Sequence, residues 1–152
     1  MKQLNLVRMI LGGLLSGVIL YVFEGVTNTL ILGSQWKSWG LIANQVFATP
    51  PEGLSLTYWA IQALIAGLAG TFVYAAIRAW VGVNLRAAYI SALVVWATGW
   101  LGMAMDQKAM GLEPPILVYG NLLAALLGLL AGQIAASFVY KEGAVSVAEA
   151  EK

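Results

Sequence analysis

Five polar residues lie in or beside long apolar stretches of the sequence and could do chemistry there: Glu24, Asn28, Gln62, Asp106 and Asn121. Their oxygen atoms could together hold a hard cation such as Ca²⁺, Mg²⁺ or Na⁺, which prefers carboxylate and carbonyl ligands. Alternatively, Glu24 could carry a proton, since ionisable groups inside membrane proteins often serve as proton relays. A third reading is structural, with the five residues forming hydrogen bonds between helices. The sequence leaves these roles open, and with them the identity of any metal.

The absence of histidine and cysteine narrows the chemistry further. Iron–sulfur clusters, zinc sites and His-ligated haem need those side chains, so this chain by itself offers no ligand for a His- or Cys-ligated cofactor. The sequence also contains no Gly-rich phosphate loop, no Ser/His or Cys/His pair and no Glu-x-x-His motif. We therefore expect a protein that is not an enzyme, and we assign no catalytic residue.

The composition is that of an integral membrane protein. Hydrophobic residues make up 61% of the 152 residues and charged residues 10%, whereas soluble domains have about 25% charged residues. Long apolar runs predict membrane-spanning helices, because a helix satisfies its own backbone polar groups in hydrocarbon. We predict an all-α protein, an antiparallel four-helix transmembrane bundle, with spans at about 8–28, 56–77, 87–105 and 116–140.

A segment between the first two spans mixes aromatic and polar residues and so differs in composition from the spans. Trp36, Trp39 and Phe47 fall near one face at helical spacing, which predicts a short amphipathic helix over about 35–48 in the membrane interface. Trp59, near the start of the second span, joins them as an interfacial anchor, because tryptophan is enriched at the headgroup level.

Lysine and arginine predict which side of the membrane each loop faces, because cytoplasmic loops carry the excess. Six of these residues fall on one side of the predicted bundle, and only Lys37 and Lys108 fall on the other. We expect both termini to be cytoplasmic, with residues 1–140 as one domain and 141–152 as a polar, disordered tail. No basic stripe lies outside the membrane flanks, so nucleic acid is not an expected partner.

Glycines recur along the predicted spans at helical spacing. Because a helix turns about 100° per residue, Glu24 shares a face with Gly17, and Asp106 shares one with Gly102. This geometry assumes regular helices, since a bulge at a glycine would rotate part of the face. Small residues let membrane helices approach closely, so these faces should turn the polar residues toward one another at the outer end of the bundle. The predicted packing seam consists of Gly13, Gly17, Gly99, Gly102, Gly128 and Gly132.

Two further patterns lie at span ends. The Gly-rich first span runs into Leu32-Gly33-Ser-Gln-Trp36, and the last span closes with Tyr140-Lys141-Glu142. In these patterns the chain resembles small uncharacterised bacterial four-span integral membrane proteins. The resemblance implies a helical fold in the bacterial inner membrane and says nothing about activity.

Small loops and the lack of a reaction motif favour a non-catalytic accessory or scaffold subunit of a larger membrane protein complex. Its partners would be the lipid bilayer and either other membrane subunits or further copies of itself. The alternative is a small homo-oligomeric transporter or channel, coupled to protons or cations, that uses Glu24. Because a bundle with small-residue seams leaves little lumen, transport would need an oligomer or a rearrangement.

Overall fold

Four long helical spans make up the protein. The computed structural model describes residues 5–43, 52–82, 85–111 and 113–140, and every regular element in these ranges is helical. The spans are long and apolar enough to cross a membrane, so this is a multi-pass membrane protein and the predicted helical bundle is confirmed. They comprise Leu6–Ile31, Leu56–Val81, Leu85–Met110 and Pro115–Val139.

A turn of π-helix interrupts the first and the third spans. The backbone N–H of Leu32, for example, donates to the carbonyl of Thr27, five residues earlier, at 2.8 Å. A π-helical turn contains one residue more than an α-helical turn, and such turns occur often at functional sites. The elements are α1 Leu6–Val26, π1 Thr27–Ile31, α2 Gly33–Ala43, α3 Glu52–Val81, α4 Leu85–Trp96, π2 Ala97–Leu101, α5 Gly102–Met110 and α6 Pro115–Val139.

Local sequence fixes the helix ends. The Asn5 side chain accepts a hydrogen bond from the backbone N–H of Arg8 at 3.1 Å and so caps the start of α1. Gly111 ends α5 with a left-handed φ of 66°, a conformation that glycine adopts without steric cost. Pro115 then opens α6, where a missing N–H costs no helical hydrogen bond.

The four spans pack as a ring in which each touches the next. Helix α1 lies between α3 and α6, and α4 lies on their far side, against both. Helices α3 and α6 also touch across the ring, so α1 and α4 occupy opposite corners. Leu20, Ala63, Ala125 and Leu129 are fully buried where the helices meet, while most large aliphatic side chains point outward, as a bilayer requires.

Glycines allow α1 to approach its neighbours at backbone distance. A Cβ added at Gly17 would lie 2.7 Å from the Cα of Leu64, and one added at Gly13 would lie 2.8 Å from the Cα of Leu68. On the other side of α1, a Cβ at Gly132 would lie 2.8 Å from the carbonyl oxygen of Ser16. Gly128 packs on Leu20 and Phe23 in the same interface. These four predicted seam glycines therefore lie at close helix contacts.

The other two predicted seam residues, Gly99 and Gly102, do not lie at a helix contact. A Cβ added at either would meet nothing within 4 Å. The reason is π2, because its extra residue rotates everything beyond it by about 100° relative to a continuous α-helix. Val95 is buried before π2, and Trp100 and Ala104 are buried beyond it. The buried residues Val95 and Trp100 are thus five positions apart across π2. In a regular α-helix the spacing would be four, and Gly99 would have been the buried residue.

Helix α2 covers most of the predicted interfacial helix. It ends at Ala43, and the rest of the predicted range, including Phe47, lies outside the described residues. Trp36 and Trp39 pack edge to face with ring centres 5.7 Å apart. The position of α2 relative to lipid is still a prediction, but Trp36 is half-buried and takes part in the site described next.

Candidate functional site

A cavity of about 190 Å³ lies at the end of the bundle that carries Glu24, and we call it the Glu24 cavity. It brings together four of the five polar residues singled out from the sequence: Glu24 and Asn28 from the first span, Gln62 from the second and Asn121 from the fourth. Its remaining lining residues are Trp36, Trp59, Trp100, Met103, Gln107 and Glu113.

The fifth polar residue, Asp106, is exposed and does not line the cavity, which corrects its predicted placement. The rotation at π2 turns Asp106 outward and turns its neighbour Gln107 inward. The second carboxylate of the cavity is instead Glu113, which stands just before the two prolines that open α6. Sequence reasoning missed Glu113 as a site residue; the signal in the sequence was a carboxylate in a Glu-Pro-Pro segment directly before the last span.

Glu24 is half-buried and held from across the bundle. Its Oε1 accepts a hydrogen bond from Nε1 of Trp100 at 2.7 Å. The two side chains come from spans at opposite corners of the ring, so this hydrogen bond ties those corners together at one end. A hydrogen bond from an N–H group to a carboxylate is roughly twice as strong as a hydrogen bond between neutral groups. Sequence reasoning did not place Trp100 in the site, because its inward position depends on π2.

Asn28 is a positioning residue at the corner between α1 and α2. Its Nδ2 donates to the backbone carbonyl of Glu24 at 2.9 Å, and its Oδ1 accepts from Nε1 of Trp36 at 2.6 Å. Both ends of the amide are therefore used, and together they fix the Trp36 indole in the cavity wall. Asn28 lies within π1 and Trp100 within π2, so each π-helical turn carries one lining residue.

Glu113 supplies a carboxylate of which only one oxygen accepts a hydrogen bond from the described residues. Its Oε1 accepts from Nε2 of Gln107 at 3.3 Å, while Oε2 is buried and has no hydrogen-bond partner among the described residues. Burial raises the pKa of the Glu113 carboxyl above its ordinary value of 4.5. A buried carboxylate oxygen without a donor is costly, so a positive group at this point would be stabilising.

The cavity is negative in charge and aromatic in surface. Two carboxylates and three indoles line it, and no lysine or arginine is among the lining residues. Two lysines stand next to lining residues in the sequence: Lys37 follows Trp36, and Lys108 follows Gln107. Lys37 is exposed, and Lys108 lies over the ring of Tyr119, 6.0 Å from its centre. Carboxylates and indole faces both attract cations, and low-dielectric walls strengthen that attraction. The arrangement is suited to holding a positive charge.

A buried polar cluster closes the bundle below the cavity. Nε2 of Gln133 donates to Oγ of Ser16 at 2.9 Å and lies 3.4 Å from the carbonyl oxygen of Gly67. Oγ of Ser91 lies 3.4 Å from Oε1 of Gln133. Gln133, Ser16 and Ser91 are all fully buried, and with Gly67 they bring all four spans to one point. Sequence reasoning missed Gln133, although it directly follows the seam residue Gly132.

The opposite end of the bundle carries a buried arginine. Arg78 is 5% exposed, and its guanidinium carbon lies 4.8 Å from the ring centre of Tyr140 and 5.7 Å from that of Tyr74. The two tyrosine rings pack edge to face. Such contacts stabilise a cation by the negative faces of the rings. This cluster joins the ends of α3 and α6 and lies far from the Glu24 cavity.

The fold and the site together define a class: a four-span membrane bundle, tightly packed at its centre, with a negative aromatic cavity at one end. No family model matches the chain, and neither a curated protein nor a solved structure shows significant similarity to it.

Proposed function

We propose that the protein is a non-catalytic subunit of a bacterial inner-membrane assembly, and that it binds a cation in the Glu24 cavity. The observation that carries the proposal is the pair of carboxylates, Glu24 and Glu113, that line one aromatic cavity with no basic residue among its lining residues. The cluster of intramembrane polar residues inferred from the sequence is thereby given one of its three possible roles, that of a cation site.

Electrostatics favour a bound cation between the two carboxylates. An ionised side chain inside a membrane-spanning segment is costly, and such residues usually have a partner. Glu24 has a donor in Trp100, but that donor carries no charge. A cation between the carboxylates would supply the missing charge and a partner for Oε2 of Glu113.

The packed centre favours binding over passage through a single chain. Leu20, Leu129 and Gln133 are fully buried below the cavity, so its floor is closed. With both termini cytoplasmic, as the distribution of lysine and arginine predicts, the cavity opens on the outer side of the membrane. The protein would then act as an outward-facing receptor or scaffold for the assembly.

Replacing Glu24 by Gln tests the cation site. Purified protein would be titrated with Na⁺, Ca²⁺ and tetramethylammonium while the unfolding temperature and the bound cation are measured. We expect at least one cation to bind and to raise the unfolding temperature, because a ligand stabilises the state that binds it. Glu24→Gln should abolish the effect, because Gln keeps the side chain's shape and lacks its charge.

Asp106→Asn is the matched control, since Asp106 is a carboxylate of the same bundle end that lies outside the cavity. Binding should be unchanged in this variant. Equal losses in Glu24→Gln and Asp106→Asn would mean that only the general negative charge matters, and the proposed site would be wrong. The subunit role is tested separately by purification from the native membrane in mild detergent, where stoichiometric unrelated chains are expected and a clean monomer or homo-oligomer would contradict it.

The two π-helical turns favour a second candidate, a cation- or proton-coupled transporter. Both carry residues that line the cavity, and π-helical turns are frequent at sites where helices rearrange or bind ligands. The test is flux of protons or of the bound cation into liposomes. Flux that is lost in Glu24→Gln would favour the transporter, and binding without flux would favour the subunit.

A further inference from the structure

A second hollow adjoins the Glu24 cavity on the side of the bundle that faces lipid. It has a volume of about 460 Å³ and lies between α3 on one side and α4 with π2 on the other. Gln62 and Trp100 line both hollows, so the polar cavity and this groove meet at those two residues. We call the second hollow the lateral groove.

The lateral groove has a mainly apolar lining and runs along α3. Its lining on α3 runs from Tyr58 to Ala69, a distance of about 16 Å at 1.5 Å per residue. Ile61 and Ile65 on this stretch are 48% and 61% exposed, so the groove is open to the hydrocarbon. Gly99 leaves room in the opposite wall, since a Cβ added there would meet nothing within 4 Å.

We propose that the protein binds a cationic amphiphile, with its ammonium head in the Glu24 cavity and its alkyl chain in the lateral groove. This inference rests on the proposed cation binding and names the class of ligand. The continuity of a negative cavity with an apolar groove matches one molecule with a positive head and an apolar chain. An apolar helix from a second chain would match the groove alone and would leave the carboxylates covered and without a charged partner.

The lining residues fit an ammonium group better than a metal ion. Ca²⁺ takes six to eight oxygen ligands, and no group of three His, Cys, Asp or Glu that could hold a metal occurs among the described residues. Indole faces are the side-chain surfaces that quaternary ammonium groups prefer, and three indoles line this cavity. A phospholipid head group fits less well, because its phosphate would lie near Glu24 and Glu113.

The test compares two probes in nanodiscs of zwitterionic lipid: tetramethylammonium, which has the head alone, and dodecyltrimethylammonium, which adds the chain. Gly99→Leu fills the lateral groove without touching the cavity, and Ala69→Leu fills it from α3. Each should weaken dodecyltrimethylammonium binding by about tenfold, the loss expected when about two methylene groups are displaced. Tetramethylammonium binding should change by less than about twofold, because only the groove is altered.

Gly102→Leu is the matched control, because it adds the same side chain one turn away, at a glycine whose Cβ position is equally open. It should leave the affinities for both probes unchanged. That result would show that the weaker binding in the groove variants does not arise from partition of the dodecyl chain into the lipid. Dodecanol, a neutral amphiphile with the same chain, should compete at least about tenfold more weakly than dodecyltrimethylammonium, because it lacks the charged head. Unchanged dodecyltrimethylammonium binding in both groove variants, or equal weakening of the two probes, would overturn the inference. Competition by dodecanol as strong as that by dodecyltrimethylammonium would overturn it as well, because the head would then be unnecessary.

The two proposals fail in different ways. If tetramethylammonium binds and depends on Glu24 while the groove variants have no effect, the cation site stands and the amphiphile is refuted. If the groove variants weaken dodecyltrimethylammonium binding but Glu24→Gln affects neither probe, the cation site is refuted, and with it the proposed position of the head. Binding of neither probe refutes the amphiphile, and the titration with Na⁺ and Ca²⁺ then decides the cation site.

Discussion

Replacing Gly67 by Ala should separate α1 from α3, because these helices touch through their backbones. A Cβ on Gly67 would lie 2.7 Å from the Cα of Gly17 and still closer to the backbone of Gly13 and to the backbone nitrogen of Gly17. Carbon atoms in ordinary contact are about 3.5–4.0 Å apart, so the helices must move apart by about 1 Å. Backbone atoms block the added carbon, so a change of rotamer cannot relieve the clash.

The expected loss is at the upper end of the range for overpacked sites. Inserting a methyl group into a packed core costs about 1–3 kcal/mol, and here the displaced unit is a whole helix. We expect Gly67→Ala to lower the free energy of unfolding by about 3 kcal/mol. The measurement is unfolding in mixed micelles by added dodecyl sulfate, followed by far-UV circular dichroism.

Gly102→Ala is the control for this experiment, because nothing lies within 4 Å of its Cβ position. It removes the same backbone flexibility and adds no clash, so its stability should equal or slightly exceed that of the wild type, by up to about 1 kcal/mol. If Gly67→Ala is no less stable than Gly102→Ala, α1 and α3 are not in backbone contact in the membrane protein.

Three further predictions concern the polar groups. Trp100→Phe removes the donor to Glu24 and keeps an aromatic ring, so it should cost about 1.5–3 kcal/mol of unfolding free energy, the range for a hydrogen bond to a charged group. Glu24→Gln should cost less in that variant than in the wild type. Gln133→Met keeps the side-chain length and removes the three hydrogen bonds of the Gln133 amide. Such bonds average about 0.6 kcal/mol each in membranes, so dodecyl sulfate unfolding should show a loss of about 2 kcal/mol, below that of Gly67→Ala. Burial raises the pKa of Glu113, so its carboxyl stays protonated to higher pH in the unliganded protein, and cation binding needs the carboxylate. Cation affinity should therefore rise as pH increases from the ordinary value of 4.5 through the raised pKa, and Glu113→Gln should show a shallower rise; an equal rise in both proteins would mean that Glu113 does not contact the cation.

Composition and period predict the spans because both are local properties of the sequence. Apolar length alone identifies the four membrane helices. The same arithmetic brings Glu24 and Asn121 to one cavity, because the chain is α-helical between each of them and the seam glycines, Gly17 and Gly128, on its own helix. Where the helix is regular, the position of a packing residue therefore predicts which way a polar residue one or two turns away faces.

The arithmetic fails where the period changes. A single extra residue in π2 is enough to turn Asp106 out of the site and to bring Trp100 and Gln107 into it. Thr98 and Gly99 lie in this turn, and Oγ1 of Thr98 donates to the carbonyl of Val94 at 2.8 Å. A threonine hydroxyl that bonds to the preceding turn is compatible with either kind of helix, so the sequence does not reveal which one forms.

Deleting Thr98 tests directly whether this extra residue sets the face of the third span. Without it the turn can close as an α-helix, and Trp100 then follows Val95 at the regular spacing of four residues. The side chains beyond the turn keep their faces, so we expect the variant to fold, to retain the dependence on Glu24 and to bind cations as the wild type does. Deleting Leu127 from α6 is the control, because that residue is also exposed but its helix has no π-helical turn.

In the control, α6 has no π-helical turn that could revert to an α-helical turn and compensate for the lost residue. Gly128 and Gly132 therefore rotate by about 100° relative to the first half of α6. The contacts of α6 with α1 are then lost, and we expect the variant to unfold at lower dodecyl sulfate or to fail to fold. If both deletions are equally damaging, the phase of the third span is set by something other than π2. If the Thr98 deletion binds cations but no longer transports them in liposomes, the π-helical turn serves movement, and the transporter is favoured over the static subunit.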